Sequence, residues 1–310
     1  MIRCAPFWLV TMMLMWPLTA TAQPRTIDGV AIDPDAELVV ALADDTNNSA
    51  ALGMFVIVLT TAMAVLAPVL SPADPVKNSL IDRLTPPMWN GTAKHPLGTD
   101  TLGRDVASRL LYGARVSLVV GLAAVAIAGV LGVALGLLSG YYRGWPDDVL
   151  MRLGDIQLAF PVLVLAVAVL AVLGASLATG WITYARIVRG EALSLRQRDF
   201  VEAARGLGAT DRYLLWRHIF PNVLPPVTVV ATFSVARTII AEASLSFLGL
   251  GIPPPAPSWG AMLDEGRNYI TTGWWLALFP GVAILLLVLG INLVGDWLRD
   301  ALDPRMERGM

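Results

Sequence analysis

The chain has 310 residues, of which 56% are hydrophobic and only 15% are charged, and its mean hydropathy is +0.65. A chain of this length and composition is too apolar for a soluble globular protein, so the sequence predicts a membrane protein. The formal net charge of -2 excludes no class, because in a membrane protein the placement of Lys and Arg among the loops carries the information.

The N-terminal region combines a signal-like segment with an acidic stretch. Residues 1–22 begin with Arg3, continue with a long apolar stretch and end in small residues, an order typical of a secretory signal peptide. Residues 23–50 carry six acidic side chains and one Arg. We interpret residues 1–50 as an atypical N-terminal extension, and the sequence leaves open whether its first segment is cleaved.

Five apolar stretches have close to the ~20 residues that a helix needs to cross the hydrocarbon core. A sixth candidate, residues 174–189, is short. Only about eleven residues separate Gly174 from Arg186, and at ~1.5 Å per residue they cover roughly half of the core. The five longer stretches are residues 51–70, 115–138, 156–174, 223–250 and 275–295.

The distribution of arginines orients these spans. The stretch from Arg186 to Arg217 holds seven arginines, whereas the connection 251–273 holds only Arg267. Loops rich in Lys and Arg stay on the cytoplasmic side, so the first of these loops is predicted to be cytoplasmic. The C-terminal segment 299–308 lies two crossings later and carries three arginines, which places it on the same side.

The cytoplasmic loop is predicted to contain two short helices. Ser194 can cap the first and Gly208 can end it. Thr210 or Asp211 can start the second, which must stop near Pro221 because proline lacks the N–H that a helix interior requires. The loop also carries small and aromatic side chains, which favour a contact with another protein.

The same loop carries a family resemblance. An E-A-A-x-x-x-G run extends from Glu202 to Gly208, and an I-x-P element follows about ten residues later. This order resembles the cytoplasmic coupling motif of bacterial ABC importer permeases. The residues to which the resemblance assigns contact with an ATPase are Glu202, Ala203, Ala204, Gly208, Trp216, Ile219 and Pro221.

Four further blocks extend the resemblance over residues 66–305. They look like the dipeptide, oligopeptide and nickel importer permeases, specifically the second of their two membrane subunits. The blocks are L-G-T-D-T-L-G-R-D at 97–105, A-F-P at 159–161, S-F-L-G-L-G at 246–251 and L-D-P at 302–304.

The resemblance implies an all-α membrane protein, a polytopic helical bundle of the type I ABC importer permease kind with about six transmembrane helices, one of them atypically short. It implies a first transmembrane helix with a periplasmic connection, then a permease core, then a cytoplasmic tail. The implied divisions are the extension 1–50, the first helix and connection 51–113, the core 114–300 with its coupling loop 190–221, and the tail 301–310.

It also implies a multi-pass subunit of the bacterial plasma (inner) membrane that serves an ATP-driven importer by alternating access. The implied cargo is a di- or oligopeptide, with nickel or another small solute as the alternative. The implied partners are a paralogous permease subunit, two ATPase subunits, an external solute-binding protein and membrane lipid, with no nucleic acid.

The chain is not predicted to be an enzyme or to hold a cofactor. Its only lysines, Lys77 and Lys94, stand outside any G-x-x-x-x-G-K-[ST] loop, so we expect ATP to be hydrolysed by the partner subunits. The single cysteine is Cys4, and the two histidines, His95 and His218, lie on opposite sides of the predicted membrane. These residues indicate neither a catalytic constellation nor a metal cluster.

Two ionisable residues, Arg237 and Glu242, fall inside the apolar stretch 223–250. A charge there is costly unless it faces protein, water or a counter-charge. Their spacing places them roughly 140° apart around a helix, so they need not pair with each other. The sequence leaves two interpretations open for them, a solute pathway or an internal salt bridge or subunit contact.

Two topologies and one rival class also remain. With a cleaved leader, the coupling loop is cytoplasmic only if five spans follow, whereas without it six spans start at residue 51. The order of the motif blocks favours six. The rival class is an inactive or scaffold permease-like protein, which the short fourth span favours.

Overall fold

The computed structural model describes residues 26–27, 30–31, 34–90, 94–160, 180–253 and 255–302, with side chains from Asn47 onward except that of Asn90. The predicted leader therefore lies outside the described residues. The described helices are α1 (Pro34–Leu70), α2 (Val106–Tyr142), α3 (Trp145–Ala159), α4 (Trp181–Leu195), α5 (Asp199–Gly206), α6 (Asp211–Leu214), α7 (Phe220–Phe247), α8 (Trp259–Arg267) and α9 (Trp275–Ala301), with 3₁₀ turns at Leu80–Asp82 and Met88–Asn90.

The chain divides into two compact units, Met1–Asn48 and Ser49–Met310. In the first unit, β1 (Thr26–Ile27) pairs antiparallel with β2 (Val30–Ala31), and α1 begins after this hairpin. The second unit is helical and contains the motif blocks.

Four described helical segments are long and apolar enough to cross a membrane: Asn47–Leu70, Val106–Tyr142, Asp211–Phe247 and Trp275–Ala301. They confirm four of the five longer predicted stretches. Most of the remaining one, 156–174, lies outside the described residues. The short sixth candidate is described only from residue 180, and there α4 runs for 15 residues from Trp181 to Leu195.

Small residues let α2 and α4 pack closely side by side. A Cβ on Gly132 would clash with the Trp181 carbonyl oxygen, and a Cβ on Gly136 would lie 2.6 Å from the Ala185 carbonyl oxygen. Because residue numbers increase in the same direction on both helices, the two run parallel. Close packing through small residues is common between membrane helices, and α4 is the partner that requires it on α2.

Helix α3 runs antiparallel to this pair and is held by charged side chains. Asp147 pairs with Arg189 of α4, and its carboxylate accepts a hydrogen bond from Ser139 of α2. Further along, Asp155 pairs with Arg186. The packed α4 helix, rather than a neighbour within α3, thus supplies the partner of this carboxylate.

We name the two ends of the bundle after α2: the outer end is the one at which α2 begins, and the inner end is the one at which α2 ends. At the outer end, where α2 begins, the Ala73 N–H after α1 donates to Ser108 Oγ at 3.1 Å. At the inner end, the Tyr141 hydroxyl donates to Asp211 of the coupling loop. The five-span topology would place Tyr141 and Asp211 at opposite membrane faces, so it is incompatible with this contact. The order expected for six spans is retained.

The block 95–105 forms the outer connection and starts α2. Gly98 and Gly103 have positive φ values of 81° and 72°, where a side chain would be strained. Asp105 is the N-cap of α2 and accepts from the Ser108 N–H at 2.7 Å, while its other oxygen contacts His95 Nδ1 at 3.0 Å. Glycines and a carboxylate cap therefore set the entry angle of α2.

A buried charge cluster ties this block to α8. Asp100 pairs with both Arg104 and Arg109, and Glu265 of α8 receives Arg104 Nη2 at 2.8 Å and Arg109 Nη2 at 3.0 Å. Asp100 and Arg109 are both buried. The cluster holds this block to α8 through hydrogen-bonded charges, although the buried Arg109 Nε has no hydrogen-bond partner in the described part of the chain.

Two buried indoles complete the outer core. Trp259 of α8 donates its Nε1–H to the Leu110 carbonyl at 2.9 Å, and Trp275 of α9 donates to the Thr99 carbonyl at 3.1 Å. Their rings pack in a cluster with residues of α2, α7 and α9 such as Ile239. The two indoles thus join α8 and α9 to the block at 97–105 and to the first turns of α2.

Candidate coupling surface and membrane-embedded charges

The first loop helix starts later than the sequence predicted. Ser194 lies inside the last turn of α4, where its carbonyl accepts from the Gln197 N–H at 3.2 Å. The N-cap of α5 is Arg198, whose side chain makes no capping hydrogen bond. The predicted Ser194 cap is therefore wrong, because α4 continues through Ser194 before the chain turns.

Gly208 closes the first helix as predicted. Helix α5 ends at Gly206, and Gly208 has a φ of 85°. The Ala209 N–H then reaches back to the Ala204 carbonyl at 3.1 Å, which is the pattern of a glycine-terminated helix. A Cβ at Gly208 would meet no atom within 4 Å, so this corner is open to an approaching surface.

The second loop helix starts as predicted but does not stop. Thr210 is its N-cap and accepts from the Tyr213 N–H at 3.4 Å. The helix then widens into a π-helical turn, Leu215–Ile219, and continues into α7. Pro221 sits in the first turn of α7. The prediction of a stop near Pro221 is wrong, because proline is tolerated in a first helical turn and the wider turn precedes it.

The coupling motif divides into an exposed and a buried set. Among the apolar side chains, Leu207 is 90% exposed and Trp216 is 63% exposed, whereas Ile219 is fully buried. Glu202, Ala203, Gly208 and Pro221 are also exposed, and Ala204 is half-buried. We call the exposed residues of the motif together with two exposed aromatic neighbours the coupling surface; they are Phe200, Glu202, Ala203, Leu207, Gly208, Tyr213, Trp216 and Pro221.

Ile219 supports this surface from below. It packs with Val201, Leu214 and Val223 in a buried cluster that also includes Tyr141 of α2 and Val188 of α4. The family resemblance implied an ATPase contact for Ile219, but its side chain is part of the core under the two loop helices. This core packs the loop helices against the inner ends of α2 and α4.

Tyr141 is a hub between α2 and the loop. Its hydroxyl donates to Asp211 Oδ1 and lies 3.5 Å from Arg205 Nη2. Its carbonyl accepts from Arg196 Nη1 at 2.7 Å, and the Arg196 guanidinium lies 5.6 Å from the Tyr141 ring centroid. This role of Tyr141 was not predicted from the sequence, because nothing in the local pattern links residue 141 to the E-A-A run.

The inner end also holds a strongly paired carboxylate. The hydrogen bonds from the Arg189 guanidinium hold the pKa of Asp147 below its ordinary value, with a further contribution from Ser139, against the opposing effect of burial. Asp147 therefore stays ionised throughout the neutral range and fixes α3 against α4.

The two membrane-embedded charges of α7 have different surroundings. Arg237 is exposed, and no described residue forms a hydrogen bond, ion pair or ring contact with it. Glu242 is 9% exposed, and its Oε1 accepts from Ser246 Oγ at 2.7 Å. The structure therefore does not bring Arg237 and Glu242 together, and it turns Glu242 toward α8 and Arg237 toward the open face.

Within the part of the chain that the structure describes, no group of three or more His, Cys, Asp or Glu side chains could hold a metal ion. His95 is engaged with Asp105 at the outer end. His218 lies between the rings of Phe200 and Tyr213 at centroid distances of 6.0 and 5.5 Å. The histidines thus lie at opposite ends of the bundle, as expected.

Comparison with known proteins gives two matching family models. Residues 132–308 match the model described as "Binding-protein-dependent transport system inner membrane component". Residues 46–87 match the model described as "N-terminal TM domain of oligopeptide transport permease C". The two matches together include α1 from residue 46 onward, the coupling surface and both charges of α7.

Curated relatives extend the similarity over nearly the whole chain. A putative peptide transport system permease protein of Brucella abortus is 41% identical over 298 residues, which cover 94% of this chain and 99% of the relative. The di/tripeptide transport system permease protein of Pseudomonas aeruginosa is 44% identical over 271 residues, covering 84% and 89%. The glutathione transport system permease protein of Pectobacterium atrosepticum is 43% identical over 265 residues, covering 83% and 87%.

Proposed function

The chain belongs to the inner membrane components of binding-protein-dependent transport systems, within the dipeptide and oligopeptide permeases, and on this premise we propose that it is the second permease subunit of an ATP-driven peptide importer. It is a multi-pass membrane protein. We place it in the bacterial plasma membrane, with the coupling surface in the cytoplasm, because the arginines concentrate at that end.

The exposed coupling surface is the observation that carries this proposal. Leu207 directly follows α5, which carries the E-A-A run, and Trp216 lies in the π-helical turn before α7. Both side chains are exposed, and Gly208 between them leaves the backbone accessible. Exposed apolar anchors with an open backbone suit a groove on another protein. We assign that groove to the ATPase subunits, which bind and hydrolyse ATP in place of this chain.

The core beneath the surface provides the mechanical link. Ile219 packs against residues of both loop helices and of α4, and Tyr141 bonds to Asp211 and Arg205. Movement of the ATPases would therefore displace the inner ends of α2, α4 and α7 together. Such a displacement switches the solute cavity between its outward and inward forms only if the ATPases bind those two forms with different affinity.

The solute pathway is the second part of the proposal. Transport of a peptide requires a cavity shared with a paralogous permease subunit, and an external solute-binding protein delivers the cargo. Arg237 is the side chain of this chain that we place on the pathway, because it is exposed within a span. Glu242 has a structural role instead, since it is buried and bonded to Ser246.

The division of the chain follows the same reasoning. We propose that residues 1–50 form an extension, that 51–113 form the first span and outer connection, and that 114–300 form the permease core, followed by the tail 301–310. The coupling loop 190–221 then runs from Gly190, inside the second half of α4, to Pro221.

Two glycines allow a matched test. Gly208 and Gly249 both have positive φ, 85° and 75°, and a Cβ on either meets no atom within 4 Å. They lie at opposite ends of the bundle. We expect Gly208→Trp to abolish recovery of the ATPases with this chain from native membranes, while Gly249→Trp retains it with similar membrane insertion.

The same preparation tests the function. Native membrane vesicles should take up a labelled dipeptide only with ATP and the binding protein, and Gly208→Trp should remove that uptake. ATPase recovery that is equal in both variants would refute the coupling surface. Uptake of a nickel chelate but of no peptide would show that the cargo is the chelate and not a peptide. Recovery of the wild-type chain without any ATPase would identify a scaffold protein.

A further inference from the structure

Arg237 is a cation near the middle of a membrane span, with an open face around it. Ile239 follows Arg237 by two residues on α7 and packs against Gly121 of α2. A Cβ added to Gly121 would lie 3.0 Å from the Ile239 side chain. Gly121 lies three residues from Ala124, the central residue of α2. Arg237 therefore lies within about one turn of the mid-depth of the bundle, at ~1.5 Å per residue.

Exposure at this depth requires an anionic or aqueous neighbour. A guanidinium in hydrocarbon is costly, and both headgroup layers are too distant for one side chain to reach from mid-depth. Among the described residues Arg237 has no hydrogen-bond or ion-pair partner. The neighbour of Arg237 must therefore come from outside the described part of this chain. It must be either a negatively charged group or water.

A groove on the same face shows what kind of neighbour fits. It has a volume of about 350 Å³ and is formed by α7, α8 and α9, a size within the ~300–1,000 Å³ typical of small-molecule sites. Its walls include Ile240, Ser244, Leu263 and Ile284, and the Ser244 hydroxyl is turned back to the Ile240 carbonyl at 2.8 Å. The groove is thus apolar.

The groove and the cation are adjacent. Ile240 is one helical turn from Arg237, so the two side chains are neighbours on the surface of α7. The groove extends from there to Leu248 at the outer end, the end from which an imported solute arrives. An apolar groove ending at a free guanidinium is complementary to a molecule that has an apolar body and a carboxylate.

We infer that Arg237 binds the carboxylate of the transported peptide while an apolar side chain of that peptide lies in the groove. This inference rests on the proposed function, because it concerns the cargo of the same pathway. A guanidinium presents paired N–H donors to a carboxylate, and that geometry is specific for this group. Arg237 is accordingly a specificity-determining residue of the permease.

The test uses the complete transporter in liposomes, with the partner permease, both ATPases and the binding protein. Uptake of alanyl-phenylalanine is compared with uptake of its C-terminal amide. We expect Arg237→Gln to lower the maximal rate for the free acid by about tenfold or more, the range of a charged hydrogen bond. The same substitution should change uptake of the amide much less, and Arg237→Lys should restore part of the free-acid rate.

Taking the ratio of variant to wild type for each peptide removes the selectivity of the binding protein, which is common to both proteins. Arg115 provides the control. It is also exposed, but it lies six residues nearer the outer end of α2 than Gly121, where its side chain can reach water. Arg115→Gln should leave both uptake rates unchanged.

Several outcomes would overturn the inference. An equal loss of uptake for both peptides in Arg237→Gln would do so. Loss of association between the Arg237→Gln chain and the partner permease would also do so, because it would identify a carboxylate of that subunit as the neighbour of Arg237. Wild-type uptake that requires anionic lipid, with no such requirement in Arg237→Gln, would identify a lipid phosphate. If the wild type does not transport the amide, the free-acid uptake rates of Arg237→Gln and Arg237→Lys test the inference. Equal rates in these two variants would then contradict it.

These results are distinct from a failure of the proposed function. A wild-type transporter that assembles but carries no peptide at all would reject peptide import itself. A transporter that carries the free acid equally well with Arg or Gln at position 237 would reject only the role of Arg237.

Discussion

The hydroxyl of Tyr141 donates a hydrogen bond to Asp211, a residue 70 positions later in the chain. The first residue lies at the inner end of α2, and the second begins the helix that carries the exposed Trp216. This one contact joins a membrane span to the coupling surface. It also fixes which ends of α2 and α7 lie at the same face of the membrane.

We therefore expect Tyr141→Phe to weaken the link between ATP hydrolysis and transport. The substitution removes the bond to Asp211 but keeps the ring beneath Arg196 and the backbone carbonyl that Arg196 contacts. Loss of one such bond costs ~1 kcal/mol, too little to unfold the protein. Reconstituted transporter should hydrolyse more ATP for each peptide carried.

Tyr142→Phe is the control for this experiment, because Tyr142 is adjacent and 53% exposed. The ratio of ATP hydrolysed to peptide carried should stay at the wild-type value in that variant. An unchanged ratio in Tyr141→Phe as well would show that the hydrogen bond does not transmit the movement.

The outer charge cluster should dominate the stability of the outer connection. Arg109→Met leaves the buried Asp100 with Arg104 alone and removes the paired bonds to Glu265. Breaking a buried ion pair from one side costs ~3–5 kcal/mol. Thermal unfolding in detergent should show a clear drop in midpoint for this variant.

Lys94→Met gives the matched comparison. Lys94 pairs with Asp82 at 2.9 Å, but the Lys94 side chain is 70% exposed. Exposed pairs contribute ~0–1 kcal/mol, so this midpoint should hardly move. Similar losses in both variants would mean that the cluster gains nothing from its burial.

The close approach of α2 and α4 should make some glycines irreplaceable. A Cβ at Gly136 would lie 2.6 Å from the Ala185 carbonyl oxygen, whereas a Cβ at Gly129 would lie 3.8 Å from the Tyr184 ring. We expect Gly136→Ala to cost ~1–3 kcal/mol through overpacking. Gly129→Ala should be neutral or gain up to ~1 kcal/mol of helix propensity.

Thermal unfolding of the detergent-purified variants, without chemical denaturant, measures the change in midpoint that each substitution causes on the same helix. Tolerance of Gly136→Ala at the wild-type midpoint would contradict the packing of α4 against α2. Loss of stability in Gly129→Ala would show that residue 129 is packed more tightly than the 3.8 Å distance to the Tyr184 ring indicates.

The Asp147–Arg189 pair should give an acid-dependent contribution to stability. Its hydrogen bonds hold the pKa of Asp147 below the ordinary value of 3.8. A carboxyl with a lowered folded pKa stabilises the protein above its unfolded pKa, and this contribution is lost as the pH falls through the folded pKa. The pair is therefore fully effective at neutral pH and fails in acid below about 4.

Melting of the wild type and of Asp147→Asn between pH 7 and pH 3 measures this contribution. At neutral pH the variant should be less stable by ~1.5–3 kcal/mol, and the two curves should converge in acid. A difference that stays constant over this range would show that the loss comes from packing rather than from charge.

The sequence by itself determined the class of the protein, most of the described spans and the order of the motif blocks. Hydropathy adds up locally along a helix, so the spans 51–70, 115–138, 223–250 and 275–295 could be identified without knowing their neighbours. The glycine end of the first loop helix and the Thr210 cap were also predictable, because caps depend on adjacent residues.

Only the tertiary structure decided which side chains meet. Periodicity placed Arg237 and Glu242 on different sides of α7, but the packing of α8 buried Glu242 and left Arg237 exposed. The same applies to Tyr141 with Asp211, and to Ile219, which packing placed under the surface rather than on it. Contacts between distant residues depend on how whole helices pack, and no local pattern contains that information.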